Sequence, residues 1–174
     1  MHKLNLIALI IAASIGFSGC NQYDLVFEIE SFADMVIPAG TNTTTIYGLN
    51  ATSIFPYQAQ LSNINLSDDS ISEVVPNYAI FRSRFNEENL DFIHVVEVLV
   101  VNQDNPDDTQ EIFYFDPIPI GRKTRIELFP SLPDLKRFIK NDRLQIKIEC
   151  TFRSIPPKNF DMRLDMVFGA IEVE

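Results

Sequence analysis

Leu144-Gln145-Ile146-Lys147-Ile148-Glu149-Cys150-Thr151-Phe152 alternates apolar and polar side chains without a break. Successive side chains of a strand point to opposite faces, so this period of two predicts a strand over Leu144 to Ser154 with one face in a core and the other in water. A turn signal, Ile155-Pro156-Pro157-Lys158-Asn159, separates it from a second long run, Phe160 to Val173. There Met162, Leu164, Met166 and Phe168 keep one phase while Ile171 and Val173 take the other, which predicts a bulge at Gly169.

Upstream, Phe92 to Val101 is apolar on both faces, with Ile93, Val95, Leu99 and Val101 on one and Phe92, Val96, Val98 and Val100 on the other. Such a strand is expected at the centre of a sheet, covered on both sides. Asn102 to Thr109 is rich in Asn, Asp and Pro, and Glu111 to Phe115 restarts the β pattern, so the two runs read as a hairpin with a wide loop. Tyr23 to Glu30, Asn77 to Phe85 and Thr124 to Leu128 supply further strands. Met35 to Ile37 and Thr43 to Tyr47 flank the turn signal Pro38-Ala39-Gly40 as a small hairpin. Ile54 to Ser72 fits neither period and reads as loop or edge strand.

Ser131-Leu132-Pro133-Asp134 carries the marks of a helix start, since Ser or Asp accepts bonds from free amides and Pro suits an early position. Leu132, Leu135, Phe138 and Ile139 would make its apolar stripe, Lys136, Arg137 and Lys140 suit the later turns, and Asn141 and Asp142 would end it. About eight strands with one short helix predict a mainly β protein, an antiparallel β-sandwich, with a closed β-barrel as the alternative.

The N-terminus reads differently. Lys3 is followed by an apolar run from Leu4 to Phe17, shorter than the ~18 residues that cross a bilayer as a helix, and then by the small residues Ser18 and Gly19 before Cys20. Phe17-Ser18-Gly19-Cys20 resembles the lipobox at which bacterial lipoproteins are cut and acylated, although those signals prefer Leu where Phe17 stands. The resemblance implies a signal peptide at residues 1–19 and a single domain at residues 20–174. Cys20 would carry the lipid, and two or three acyl chains hold a protein on a membrane durably. Asn21 follows Cys20 where an inner-membrane retention signal would have Asp, which favours the outer membrane. A lone Asp24, without the acidic cluster of surface-exported lipoproteins, favours the periplasmic side over the cell surface.

The chain carries a formal charge of −10, which becomes −11 once Lys3 leaves with the signal. Such a body repels polyphosphates, so nucleic acid is not an expected partner. Cys150 then has no second cysteine to pair with, and in its alternating run it reads as a small buried hydrophobe.

Catalytic patterns are scarce. Past the signal His94 is the one histidine, no G-x-S-x-G or S-x-x-K motif occurs, and the glycines are scattered, so no catalytic residue, cofactor or metal is assigned. Asp104, Asn105, Asp107, Asp108 and Glu111 form the densest oxygen-ligand cluster, but without the glycine and spacing of a calcium loop they read as a solvated hairpin. Arg122, Lys123 and Arg125 read as a wet strand end. Asp69-Ser70-Ile71 resembles the three-residue acceptor of periplasmic O-glycosylation in Bacteroidetes.

The expected function is therefore a lipid-anchored, non-enzymatic envelope lipoprotein that binds a protein, glycan or other envelope component in a scaffold, assembly or adhesion role. A carrier of a lipid or other apolar ligand is the alternative, suggested by thirteen phenylalanines beyond Phe17. A carboxylate-based hydrolase is the second alternative.

Overall fold

The computed structural model describes residues 24–85 and 87–172. Cys20 and the signal segment lie outside them. Eight antiparallel strands run in chain order: β1 (Leu25–Ile37), β2 (Tyr47–Ile54), β3 (Ile71–Ser83), β4 (Ile93–Val101), β5 (Thr109–Phe115), β6 (Arg125–Pro130), β7 (Arg143–Phe152) and β8 (Phe160–Glu172). They form one sheet in the order β1-β8-β3-β6-β5-β4-β7-β2. The halves β1-β8-β3-β6 and β5-β4-β7-β2 face each other, and Phe168 of β8 meets Phe55 at 5.0 Å and Phe113 of β5 at 5.8 Å, edge to face. The mainly β, antiparallel, eight-stranded expectation holds, in a sheet that nearly closes on itself.

The outer strands of that order, β1 and β2, lie side by side without a backbone ladder. Two buried serines join them: Ser31 Oγ donates to the Ile54 carbonyl at 2.7 Å, Ser53 Oγ donates to the Phe32 carbonyl at 2.6 Å, and the two hydroxyls touch. Side chains thus replace ladder bonds along this seam. The seam also explains one misreading. Ile29, Ser31, Ala33, Met35 and Ile37 all point inward, so β1 is one strand of 13 residues. A polar Ser31 at an inward position, beside outward Phe32 and Val36, interrupts the apolar rhythm and makes the strand look like two. The expected hairpin around Pro38 does not form, because β2 pairs with β7. Gly40, at φ 74, still turns the chain there.

The helix is elsewhere than expected. Within Ser131 to Ile139 only a short 3-10 turn, Lys136–Phe138, forms. Tertiary bonds outcompete a short helix that would be marginal alone: Leu135 N–H donates to the Val74 carbonyl at 2.8 Å, and Asp134 accepts the Val74 N–H at 3.1 Å. Asn141 and Asp142, at φ 52 and 54, make the two-residue turn of a Lys140–Arg143 hairpin. The α-helix of the described residues, α1 (Tyr57–Asn63), falls in the stretch that read as loop or edge strand. It has no local cap. Asp142 accepts the Gln58 N–H at 2.8 Å from 84 residues away, a partner invisible to local pattern. Tyr57 and Leu61 form its buried face.

Three smaller expectations are corrected. β8 runs through Gly169 in register, and the irregularities lie on its neighbours, at Leu25/Phe27 of β1 and at Ile71/Glu73 and Pro76/Tyr78 of β3. Gly169 is instead a close approach: a Cβ there would meet Leu25 Cδ1 at 2.9 Å. β4 is central, paired with β5 and β7, but its outer face is half-exposed at Val95, Glu97 and Leu99. In the strand expected over Asn77 to Phe85, alternation sets Ala79, Phe81 and Phe85 on one face; Ala79 and Phe81 are buried, but Phe85 lies just past β3 and is exposed.

Antiparallel order sorts the connections to two ends. The end at which β1 begins holds α1, loop 102–108 and segment 131–142. The opposite end holds the connections 38–46, 84–92, 116–124 and 153–159.

Candidate functional site

The residues singled out by pattern scatter over the fold. Cys150 is buried, and burial together with the Glu149 charge pushes its thiol up to about 12. His94 sits at an irregularity in the β4–β7 ladder with its ring exposed, not inside a two-sided apolar strand. Asp104 pairs with Lys140, and Asp108 with Arg137 at 3.1 Å, so the acidic loop is engaged by segment 131–142. Among the described residues no three His, Cys, Asp or Glu side chains gather as metal ligands. Arg125 pairs with Glu127 at 3.4 Å on the surface. Asp69 and Ser70 lie on a 3-10 turn, Asp68–Ser70. Glu97 is the carboxylic acid whose pKa is raised, by burial and then by Glu111, Glu149 and Asp116. It stands on the outer face of β4 and lines none of the clefts described below.

The outer face of β1, β8, β3 and β6 carries what the sequence reading missed. Tyr114 of β5 is register partner to Phe129 of β6, with rings 6.0 Å apart, and Phe115 meets Phe129 at 5.0 Å. One residue beyond the Ala79↔Leu128 pair, the same register sets Phe129 towards Tyr78 of β3. Tyr78 is opposite Val167 of β8, and Val167 is opposite Glu30 of β1. Phe32, two residues along β1 from Glu30, borders the same cleft as Tyr78 and ends a diagonal row of exposed rings. Phe32 and Phe129 are each more than half exposed, and Tyr78 and Tyr114 about two-fifths. An open cleft of about 300 Å³ lies between Phe32 and Tyr78, over Val167, with Glu30 and Asp165 as its acids.

Neighbouring charges hold part of this face rigid. Arg163 grips Asp34 with two bonds of 2.7 Å while its guanidinium lies 4.5 Å from the Phe32 ring centre. That bidentate bond holds the Asp34 carboxyl below its ordinary pKa and raises Arg163. Arg82 bonds Asp165. Towards the start of β1, no cation of the described residues pairs with Glu28, Glu30 or Glu73, so that flank is acidic.

A second cleft, about 460 Å³, lies at the opposite end between connections 84–92, 116–124 and 153–159. Its floor is Phe92 and Phe160, with ring centres 4.5 Å apart, and exposed Ile120 forms a wall. Lys158 pairs with Glu88 at 2.7 Å, and Asp91 accepts the Gly121 N–H at 2.8 Å. Arg153 donates through Nη1 to the carbonyls of Asp91 at 3.1 Å and Ile93 at 2.7 Å.

No family model matches the chain, and no curated protein or solved structure is significantly similar to it.

Proposed function

We propose that the chain is a lipid-anchored, non-enzymatic envelope lipoprotein that docks a protein or other envelope component on the outer face of β1, β8, β3 and β6. The observation that carries this reading is the exposed row Phe32, Tyr78, Phe129 and Tyr114. Groups of exposed aromatic side chains on one face of a folded domain mark interaction surfaces, and aromatic side chains supply much of the energy at such interfaces. The interior favours docking over carriage, because the rings of Phe55, Phe113 and Phe168 occupy the space between the sheet halves.

The anchor follows from the lipobox-like Cys20. Four residues lie between it and Leu25, five steps with a reach of at most about 18 Å, so the start of β1 would stand close to the bilayer. The strands would then rise from the membrane, with the aromatic row running across them. The expected place is the outer membrane, periplasmic side.

Two measurements test this. Labelled fatty acid should enter the wild-type protein and not a Cys20→Ala variant, which should leave the membrane fraction. Cross-linking in native membranes should capture a partner that is lost when Tyr78→Ser and Phe129→Ser are combined. Fatty-acid labelling that survives Cys20→Ala refutes the anchor, and a partner retained by the folded double variant refutes the docking face.

A further inference from the structure

We infer that the cleft at the end away from Leu25 is a binding site for a carboxylate attached to an apolar or aromatic body, with Arg153 as its anion-binding group. This inference stands apart from the docking face and does not depend on it. Its volume of about 460 Å³ falls within the range of small-ligand pockets.

Arg153 is the distinctive group. Like Arg84, Arg122 and Arg143 it has no carboxylate of the described residues within salt-bridge distance, but among these four it alone has a guanidinium held by hydrogen bonds to other residues. Its Nη1 serves two backbone carbonyls, which fixes the guanidinium plane. The opposite edge of the fork, Nε–H and Nη2–H, has no hydrogen-bond partner among the described residues. Two parallel N–H donors on one rigid edge match the two oxygens of a carboxylate.

The surroundings suit the rest of such a ligand. Phe92, Phe160 and Ile120 supply apolar surface on two sides. Of the two acids in the lining, Glu88 is neutralised by Lys158 and Asp91 accepts a backbone N–H, so neither occupies Arg153. Arg122 and Lys123 stand on the adjoining connection, where Asn89 accepts the Lys123 N–H at 3.1 Å. The connections at this end carry five cations, Arg84, Arg122, Lys123, Arg153 and Lys158, against four acids, Glu87, Glu88, Asp91 and Asp116, so on a chain of charge −10 this end is near neutral and repels an anion least. The loops are tied to one another as well: Leu90 N–H donates to the Lys123 carbonyl at 2.7 Å, and Arg153 N–H to the Phe92 carbonyl at 2.7 Å. A site built this way is already in its binding shape.

The test titrates the full-length protein with phenylacetate and, separately, with the neutral phenylacetamide, following the aromatic resonances of Phe92 and Phe160 and the Nε–H resonance of Arg153. Saturable shifts with phenylacetate, at a Kd of about 1 mM for so small a ligand, and at least tenfold weaker binding of the amide are expected. Arg153→Gln should weaken phenylacetate about tenfold and leave the amide unchanged. Because that variant also loses the bonds to Asp91 and Ile93, the acid-against-amide comparison on the unmodified protein decides the matter if it does not fold. Absence of shifts, or equal affinity for acid and amide, overturns the inference. A third arm compares N-acetyl-glycyl-phenylalanine with phenylacetate: tighter peptide binding assigns the carboxylate to a chain end, and tighter phenylacetate assigns it to a free small acid.

Discussion

Removing the hydroxyls of Ser31 and Ser53 should unlock the one place where the sheet closes without a ladder. Ser53 is fully buried and Ser31 is 6% exposed. Their two protons serve three contacts: the carbonyls of Ile54 and Phe32, and each other. Ser31→Ala takes the donor from the Ile54 carbonyl, and Ser53→Ala takes it from the Phe32 carbonyl. Each loss exposes an acceptor inside the seam, which costs about 1–2 kcal/mol. For a domain of this size that lowers Tm by roughly 2–8 °C. Urea unfolding of the wild type, both single variants and the double variant forms a complete cycle. If the two carbonyl bonds act independently the costs add to within about 0.5 kcal/mol, and a larger coupling measures the hydroxyl–hydroxyl contact. Hydrogen exchange supplies the local readout, since amides of β2 near Ser53 should exchange faster in the double variant while the β1–β8 ladder keeps its protection. Single variants that unfold within about 0.3 kcal/mol of wild type would refute the reasoning and leave burial alone holding the seam.

Asp142→Ala should free the Gln58 amide and strain a backbone at φ 54, costing about 1–2 kcal/mol, whereas Asp142→Asn keeps both an acceptor and a residue tolerant of that conformation; exchange at Gln58 and urea unfolding distinguish the two. Cys150, with its thiol pushed to about 12 by burial, should resist maleimide at pH 8 in the folded protein and react at once in urea; rapid native labelling would contradict its burial. Asp34 has a folded pKa below its unfolded value, so the stability it adds is fully present above about pH 4 and is lost as pH falls through the folded value. The pair is exposed and adds under about 1 kcal/mol, so Asp34→Asn should slightly flatten the acid limb of stability and leave neutral pH nearly unchanged.

Strand content was legible wherever inward and outward positions differ in polarity. Leu144 to Phe152 needed no tertiary information, because every inward residue is apolar and every outward one polar. β1 lost that clarity at Ser31 and Phe32, where the seam needs a hydroxyl inside and the exposed face holds a ring outside. The helix was misplaced for a related reason. Segment 131–139 has local helix signals but meets Val74, while α1 lacks a cap of its own and takes one from Asp142. The functional surfaces were the least legible. Phe32, Tyr78 and Phe129 come from three strands brought together by register, and a single Phe in an outward phase looks like noise until its neighbours are known. Arg153 falls in the expected strand Leu144 to Ser154 and carries no signal of its own; what distinguishes it, a fixed plane with one free edge, exists only once Asp91 and Ile93 are beside it.

The pairing of β1 with β8, and of β3 with the same β8, decides when the chain can fold. β2 likewise waits for β7. None of the first three strands can complete its ladders until the last thirty or so residues have been synthesised, and a topology dominated by such distant pairings folds slowly. Under the lipoprotein reading proposed above, an N-terminus that enters an export channel would do so before these ladders can close. β8, the strand that joins β1 to β3, would then set the moment at which the domain closes.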